Sequence, residues 1–281
     1  MTLPRVLVAA PASGHGKTTI ATGLMAALTA RGLAVSGHKV GPDYIDPGYH
    51  ALATGRPGRN LDPHLTDPSL IAPLLLHGAR GADLAVVEGV MGLFDGQIGG
   101  DGFASTAHVA TLTDTPVVLV VDVSHASRTI GAVVHGMATF EPGVTIAGVI
   151  LNKVGSERHA TEVVHAIERT GIPVLGILHR DQGVSAPSRH LGLVPAEERA
   201  EAATALDRLV EQVTSGIDLD AVVEVARTAP PLTETAWDPA AHVRRVGRDS
   251  PVVAVAAGRA FTFRYAETTE LLEAAGCTVA P

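Results

Sequence analysis

The run AAPASGHGKTTI at residues 9–20 combines glycines, a lysine and threonines in the order typical of a phosphate-binding loop. Its end, Gly16-Lys17-Thr18, matches the pattern G-x-x-x-x-G-K-[ST], but Pro11 stands where that pattern has its first glycine. Glycines let backbone N–H groups turn towards an anion, and a following helix adds the dipole of its N-terminus. We therefore predict a variant ATP loop whose phosphate-binding residues are Ser13, Gly14, His15, Gly16, Lys17, Thr18 and Thr19.

A second cluster, KVGPDYIDPGYH at residues 39–50, carries two carboxylates beside a lysine. The Gly-Pro pair forces an irregular chain after a predicted strand, so we expect Asp43 and Asp46 on a loop near the phosphates. Carboxylates there suit magnesium, which prefers oxygen ligands, and Lys39 can stabilise the charge of a transferring phosphoryl group. Turn formation or helix capping by the two aspartates is the alternative.

A third cluster, VVEGVMGLFDG at residues 86–96, places Glu88 at the end of a predicted buried strand. Carboxylates are rarely buried without a function, and an acid at this position holds magnesium in phosphate-loop enzymes. Three glycines make the following loop pliant. Its Asp95 either faces a substrate or forms an Asp-Gly turn.

Short apolar runs alternate with helical patterns along the chain and can position these clusters. Strands are predicted at 6–10, 34–40, 84–87, 117–123, 146–151 and 174–178, and helices near 17–31, 68–80, 105–113, 128–140, 157–170 and 196–228. This alternation predicts an α/β fold with a doubly wound, mostly parallel sheet of the P-loop NTPase type. Ligands bind at the carboxyl ends of such strands, where all three clusters lie.

Composition limits the classes of partner. The chain has 281 residues, a formal charge of −8 and one cysteine, Cys277. The acidic balance argues against a nucleic-acid partner, and the absence of an internal disulfide fits a reducing compartment. No apolar run reaches the roughly 20 residues that span a bilayer, and residues 1–15 lack the layout of a signal peptide. We expect a soluble cytoplasmic protein without a membrane partner.

Together, the three clusters closely resemble the cobyrinic acid a,c-diamide synthase family, including its hydrogenobyrinic acid branch. Further similar segments are GRPGRNLDP (55–63), STAHVA (105–110), LNKVGSERH (151–159) and PSRHLGLVPAEE (187–198). The resemblance runs from about residue 4 to the end, and the ATP half of the family is similar to dethiobiotin synthetase.

The resemblance implies a reaction of cobalamin biosynthesis. ATP phosphorylates a side-chain carboxylate of a corrin precursor, and ammonia then displaces phosphate to leave an amide, first at one and then at the other of the a and c carboxylates. Carried over to this sequence, the implied magnesium ligands are Thr18, Asp43 and Glu88. Lys17 and Lys39 would steady the phosphoryl group, Asp46 would position ammonia or the acyl phosphate, and Asn152 and Lys153 would contact the base of ATP.

A polycarboxylate substrate requires local positive charge on a net acidic protein. The expected substrate-binding residues are Tyr44, Arg59, Asp95 and Ser105. Other candidates are Arg56, His50, His64, Arg189 and His190. For each cationic side chain, solvated surface charge is the alternative, and for Ser105 it is a helix N-cap.

The sequence further divides into three units, of which the middle one (229–251) is a predicted linker rich in proline, threonine and charge. The resemblance implies that residues 1–228 are an ATP-dependent amidoligase domain and that residues 252–281 are the opening fragment of a glutamine amidotransferase domain. Members of the family carry a glutaminase domain with a Cys-His pair. Cys277 lies too early in that domain to be its nucleophile and is interpreted as a small buried apolar residue. We therefore expect free ammonia as the nitrogen source for this chain and a separate glutaminase domain as a further partner. The similarity to dethiobiotin synthetase implies a homodimer.

Two other classes of function remain open. A partitioning-type ATPase switch shares the sheet and a variant loop, but such proteins place a lysine near the start of the loop, where this chain has Ala10-Pro11-Ala12. A dethiobiotin-synthetase-like carboxylate ligase is the other. Corrinoid-dependent ATP hydrolysis would separate the three classes.

We predict that Lys17→Ala gives a folded protein that has lost most of its ATP affinity, because this lysine meets phosphate rather than core. Circular dichroism checks the fold and a binding titration checks the affinity. Normal ATP binding by this variant would contradict the phosphate-loop assignment.

Overall fold

The structure is a computed structural model that describes residues 2–180, 199–245, 250–256 and 264–280. The segment 187–198, with Arg189 and His190, lies outside the described residues. The strands are Arg5–Ala9 (β1), Val35–Val40 (β2), Arg59–Leu61 (β3), Leu84–Glu88 (β4), Val117–Asp122 (β5), Ile146–Val154 (β6), Val174–His179 (β7), Val252–Ala254 (β8) and Thr278–Ala280 (β9). The helices are Lys17–Ala30 (α1), Asp46–Thr54 (α2), Ile71–Gly78 (α3), Thr106–Leu112 (α4), Thr129–Phe140 (α5), Glu157–Glu168 (α6), Arg199–Gly216 (α7), Leu219–Arg227 (α8) and Ala266–Ala274 (α9).

The central sheet has the order β3-β2-β4-β1-β5-β6-β7, and every neighbouring pair is parallel. The prediction of a doubly wound parallel sheet is therefore confirmed. Strands β2 to β4 lie on one side of β1, and β5 to β7 lie on the other. The loop after β1 consequently opens where the winding direction reverses, which is the place where such sheets bind ligands.

Helices cover both faces of this sheet, which explains why its strands are apolar throughout. Leu7 and Ala9 pack with residues of α3, α4, α5 and α6, whereas Val6 and Val8 pack with residues of α1, α7 and α8. Successive strand residues thus enter two separate cores. Within the described chain, no helix is both long and apolar enough to cross a bilayer.

Two elements escaped the sequence analysis because their local signals are weak. β3 has only three residues, two of which are Arg59 and Asn60, and its pairing with β2 depends on the rest of the sheet. α2 begins at Asp46-Pro47-Gly48, a run that reads as a turn. The predicted helical region 196–228 is interrupted because Ile217 forms a bridge with Gly176 of β7, after which Asp218 caps α8.

The first part of the segment predicted as a linker packs against the domain. Leu232 and Trp237 are buried in the core on the α3 side, and the Trp237 N–H donates to the Pro73 carbonyl at 2.9 Å. The buried guanidinium of Arg5 donates to the carbonyls of Thr113 and Pro230, at 2.8 and 2.7 Å. Residues 229–238 therefore follow the domain surface.

The C-terminal unit, residues 250–256 and 264–280, consists of the parallel pair β8–β9 and helix α9. None of its described residues is fully buried, and a two-stranded unit of this size is marginal by itself. Ion pairs attach α9 to the main domain. Arg59 binds Glu267 at 2.6 Å and Glu270 at 2.5 Å, and His77 contacts Glu270 at 2.8 Å.

We expect Glu270→Gln to loosen α9, because Glu270 accepts from both Arg59 and His77. A hydrogen bond to a charged group contributes about 1.5–3 kcal/mol, less where solvent screens it, so the amides of α9 should exchange about tenfold faster. Hydrogen exchange of α9 measures this effect.

Glu273→Gln is the matched control, since Glu273 lies on the same helix and is exposed. Equal acceleration in both variants would show that the contact with Arg59 and His77 does not hold α9.

Candidate functional site

The loop between β1 and α1 has the geometry of an anion cradle. Gly14 and Gly16 have φ angles of 85° and 96°, the left-handed region that favours glycine. A side chain at Gly16 would also collide with the amide of Asn152. α1 begins at Lys17, and no side chain of the described residues caps it. Its first N–H groups are therefore free to bind an anion.

A cleft of about 590 Å³ lies over this loop. Loop residues line one side, and residues that follow β4 or lie at the end of β6 line another. The lining includes Ser13, Gly14, Gly16, Lys17, Thr18, Thr19, Lys39, Gly89, Val90, Met91, Asn152 and Lys153. The cleft thus lies at the carboxyl ends of the parallel strands. The side chain of His15 is not part of this lining. Its Nδ1 accepts the Asp122 N–H at 2.8 Å.

Lys17 bends back over the loop. Its Nζ donates to the carbonyl of Met91 and, at 3.3 Å, to that of Ala12. Burial, followed by the positive charge of Lys39, lowers the pKa of Lys17 to about 8. The ammonium is therefore poorly compensated and is suited to bind a phosphate.

Strand register brings the catalytic candidates together beside the loop. Lys39 of β2 stands opposite Glu88 of β4, so both side chains leave the same face of the sheet. The Lys39 Nζ lies 2.8 Å from Glu88 Oε1 and 2.6 Å from Asp46 Oδ2. The Thr18 hydroxyl donates to Glu88 Oε1 at 2.5 Å and lies 3.5 Å from Asp46 Oδ2. We call these four residues the lysine–carboxylate cluster.

The ionisation of the cluster follows from its charges. Burial by itself would lower the pKa of Lys39, but Glu88 and Asp46 outweigh it and hold the pKa above its ordinary value. Burial by itself would raise the pKa of Glu88, but Lys39 and a hydrogen bond from His50 hold it well below. Burial and the charge of Glu88 raise the pKa of Asp46 to about 6. Lys39 and Glu88 therefore form a buried ion pair at neutral pH.

Three oxygen donors of the cluster suit magnesium, since Thr18, Asp46 and Glu88 present a hydroxyl and two carboxylates at one place. Among the described residues, no group of three or more His, Cys, Asp and Glu side chains could hold a metal by itself. Magnesium in phosphate-loop sites takes few protein ligands and completes its shell with phosphate oxygens and water. The donor set thus fits an ion that arrives with a nucleotide.

The predicted magnesium ligand Asp43 has different contacts. Its Oδ1 accepts the backbone N–H groups of Ile45 and Asp46, at 2.7 and 3.0 Å, and so orients the start of α2. Asp46 is the aspartate that touches Lys39. The role of Asp43 at the metal stays a prediction.

Asn152 and Lys153 lie at the end of β6 and hold the phosphate loop. The Asn152 side-chain amide donates to the His15 carbonyl at 2.9 Å. Lys153, with a φ of 59°, donates to Asp122 at 2.5 Å and to the Gly14 carbonyl at 3.3 Å. Both residues line the cleft, and their contact with a base stays a prediction.

The four predicted substrate-binding residues lie outside the described lining of this cleft. The ring of Tyr44 lies 4.7 Å from that of Tyr265, and Arg59 is paired with α9. Asp95 accepts the Gly92 N–H at 2.9 Å, as in a turn. Ser105 is buried and caps α4 by accepting the His108 N–H at 3.0 Å. The structure does not bring these four side chains together.

The sequence analysis assigned His50 a wrong environment. It was grouped with possible surface cations, but it is fully buried and lies 2.7 Å from Glu88. Recognition of α2 would have revealed this placement, because Asp46 and His50 are four residues apart and share one helix face. Arg56, another candidate cation of the sequence analysis, binds the backbone instead of a carboxylate: its guanidinium donates to the Arg80 carbonyl at 2.6 Å.

The fold and the site define a nucleotide-binding domain with a phosphate loop. Residues 6–194 match the family described as CobQ/CobB/MinD/ParA nucleotide binding domain, and the chain belongs to this family.

Curated relatives confirm the resemblance to a,c-diamide synthases that was inferred from the sequence. The chain is 65% identical to "Hydrogenobyrinate a,c-diamide synthase" of Thermobifida fusca (strain YX), over 98% of this chain and 60% of the relative. It is 54% identical to the protein of that name from Streptomyces coelicolor, over 99% and 63%. It is 45% identical to "Cobyrinate a,c-diamide synthase" of Gloeobacter violaceus, over 96% and 59%. The chain thus spans about 60% of the length of these relatives.

Among solved structures, the cell division ATPase MinD of Pyrococcus furiosus aligns with a TM-score of 0.45 and 20% identity, over 76% of this chain and 99% of that chain.

We expect ATP binding at about pH 9 to be accompanied by proton uptake, because Lys17 is largely neutral there and bound phosphate would favour its charged form. At about pH 7 the ammonium is already charged, so uptake disappears and affinity is higher. Calorimetry in buffers of different ionisation enthalpy measures the uptake.

Lys17→Arg is the control, since arginine stays charged throughout this range. Its binding should show no uptake that depends on this side chain. The same uptake in Lys17→Arg as in the unchanged protein would contradict the assignment.

Proposed function

We propose that this chain is the ATP-binding, carboxylate-activating part of an a,c-diamide synthase that amidates the a and c side-chain carboxylates of a corrin precursor. The observation that carries the proposal is the lysine–carboxylate cluster beside an uncapped glycine loop. The identity of 65% to a relative named as such a synthase supports the substrate class.

ATP would place its phosphates on the loop 13–19, at the N-terminus of α1. Lys17 would exchange its carbonyl contacts for phosphate oxygens. Thr18, Asp46 and Glu88 would hold magnesium. Asp43, the ligand predicted from the sequence, is a further candidate. The ion would neutralise charge on the phosphates when bound.

The activation step would use the substrate itself as the nucleophile. An oxygen of the ring carboxylate attacks the γ-phosphorus, the bond to the bridging oxygen of ADP breaks, and an acyl phosphate forms. Lys17 and Lys39 provide positive charge where negative charge accumulates, which is the main contribution of a protein to phosphoryl transfer.

The amidation step would then use ammonia. Its nitrogen attacks the acyl carbon, the bond from that carbon to the phosphate oxygen breaks, and an amide and inorganic phosphate result. The nitrogen loses a proton in this step. The departing phosphate can accept this proton, and Asp46, which contacts Lys39 beside the phosphate site, would position the ammonia.

The nature of the ring follows from the relatives. The two hydrogenobyrinate synthases given above are 65% and 54% identical to this chain, and the cobyrinate synthase is 45% identical. Hydrogenobyrinic acid is therefore the first ring to test, and cobyrinic acid is the second.

The test is ADP release by the purified chain with ATP, magnesium, an ammonium salt and each ring. Ammonium supplies the nitrogen directly, so the outcome does not depend on a glutaminase. ADP release that requires the ring, together with amide formation seen by mass spectrometry, supports the proposal. ATP hydrolysis that is indifferent to both rings would favour an ATPase switch instead.

We predict that Glu88→Gln slows acyl phosphate formation on the order of a hundredfold, because it weakens magnesium binding and unbalances Lys39. Asp46→Asn should have a similar effect, and Asp43→Asn is predicted to slow the same step. Ring binding should change little in all three. Single-turnover ADP formation and a ring-binding titration give the two numbers, and a parallel loss of both would contradict these roles.

A further inference from the structure

His50 is buried at the centre of the site, yet the steps above do not use it. Its side chain has no exposed surface, and its Nε2 lies 2.7 Å from Glu88 Oε2, which is equally buried. Glu88 Oε1 is the oxygen that contacts Thr18 and Lys39. The two oxygens of one carboxylate thus face different partners.

The proton in this contact belongs to His50. Glu88 forms a buried ion pair with Lys39 at 2.8 Å, and its Oε1 also accepts from the Thr18 hydroxyl, so Glu88 acts as an ionised carboxylate. The carboxylate therefore accepts and Nε2 donates. In the described part of the chain, the buried Nδ1 has no hydrogen-bond partner.

The backbone makes a specific place for this ring. A Cβ at Gly37 of β2 would lie 2.8 Å from His50 Cβ, so glycine lets α2 approach the sheet closely. α2 also carries Asp46, one helical turn before His50. The helix therefore contacts both members of the Lys39–Glu88 pair: Asp46 contacts the lysine, and His50 contacts the glutamate.

We propose that His50 is a positioning residue for Glu88: it holds Oε2 so that Oε1 faces Thr18 and Lys39, which line the nucleotide cleft. The inference rests on the proposed function for the role of Glu88 at magnesium. Partners that orient a metal-binding carboxylate commonly change metal affinity or activity by about 10- to 100-fold when removed.

Two polar substitutions of His50 test this proposal, because their side chains differ in length. In His50→Gln the amide nitrogen can occupy the place of Nε2 and donate to Glu88, whereas the shorter side chain of His50→Asn ends near the place of Nδ1. We expect His50→Asn to need about tenfold or more magnesium for half-maximal ATP binding, and His50→Gln to recover most of that loss. The Km for the ring should not change.

His38→Asn is the matched control. His38 is fully buried on β2, also has an unpartnered Nδ1 among the described residues, and contacts Ser36 at 2.9 Å rather than a carboxylate. It should lose stability without a change in magnesium requirement. Thermal unfolding of all three variants separates stability from metal binding.

Manganese in place of magnesium gives a readout independent of turnover. Electron paramagnetic resonance of Mn²⁺ titrated into protein with ATP reports metal affinity even if neither ring is amidated, so failure of the proposed function leaves this test intact. In a Glu88→Gln background, His50→Asn should cost nothing further. Equal metal affinity of His50→Asn and His50→Gln, or an undiminished effect of His50→Asn in the Glu88→Gln background, would overturn the proposal.

Discussion

The buried ion pair between Lys39 and Glu88 is the interaction on which the rest of the site depends. A charge taken out of water is costly unless it is paired and hydrogen-bonded. Lys39 meets this condition through two carboxylates and the Gly89 carbonyl, and Glu88 meets it through Lys39, Thr18 and His50. Since those partners come from β2, β4, α1 and α2, the pair ties four elements together at the cleft.

The phosphate loop complements this pair. The loop offers N–H groups and Lys17, while the lysine–carboxylate cluster offers the carboxylates of Glu88 and Asp46, and Lys39 can balance only one of these two charges. A nucleotide bound with its cation carries both negative and positive charge. Its phosphates would contact the loop, and its cation would contact the carboxylates. Pro11 does not prevent this arrangement, because Gly14 and Gly16 provide the left-handed turns.

The C-terminal unit changes how the candidate substrate residues are understood. Arg59 stands opposite His38 in the sheet and lies against Gly78 of α3, on the face away from Lys39. Its partners are carboxylates of α9, and Tyr44 of the second cluster contacts Tyr265 of the same unit. Arg59 and Tyr44 therefore join the two parts of the chain, and a role in recognition of the ring is a separate proposal.

Local sequence determined the parallel sheet, six of its strands and the phosphate loop, because runs of apolar residues and a glycine-lysine-threonine motif report their structure without help from distant residues. It also named Thr18, Lys39, Asp46 and Glu88. Tertiary structure alone decided β3, the break before α8 and the partners of each charge. Strand register set Lys39 against Glu88, and the missing side chain of Gly37 let α2 carry His50 into the site. Pairings of this kind depend on residues far apart in the chain, whose distances no local pattern encodes.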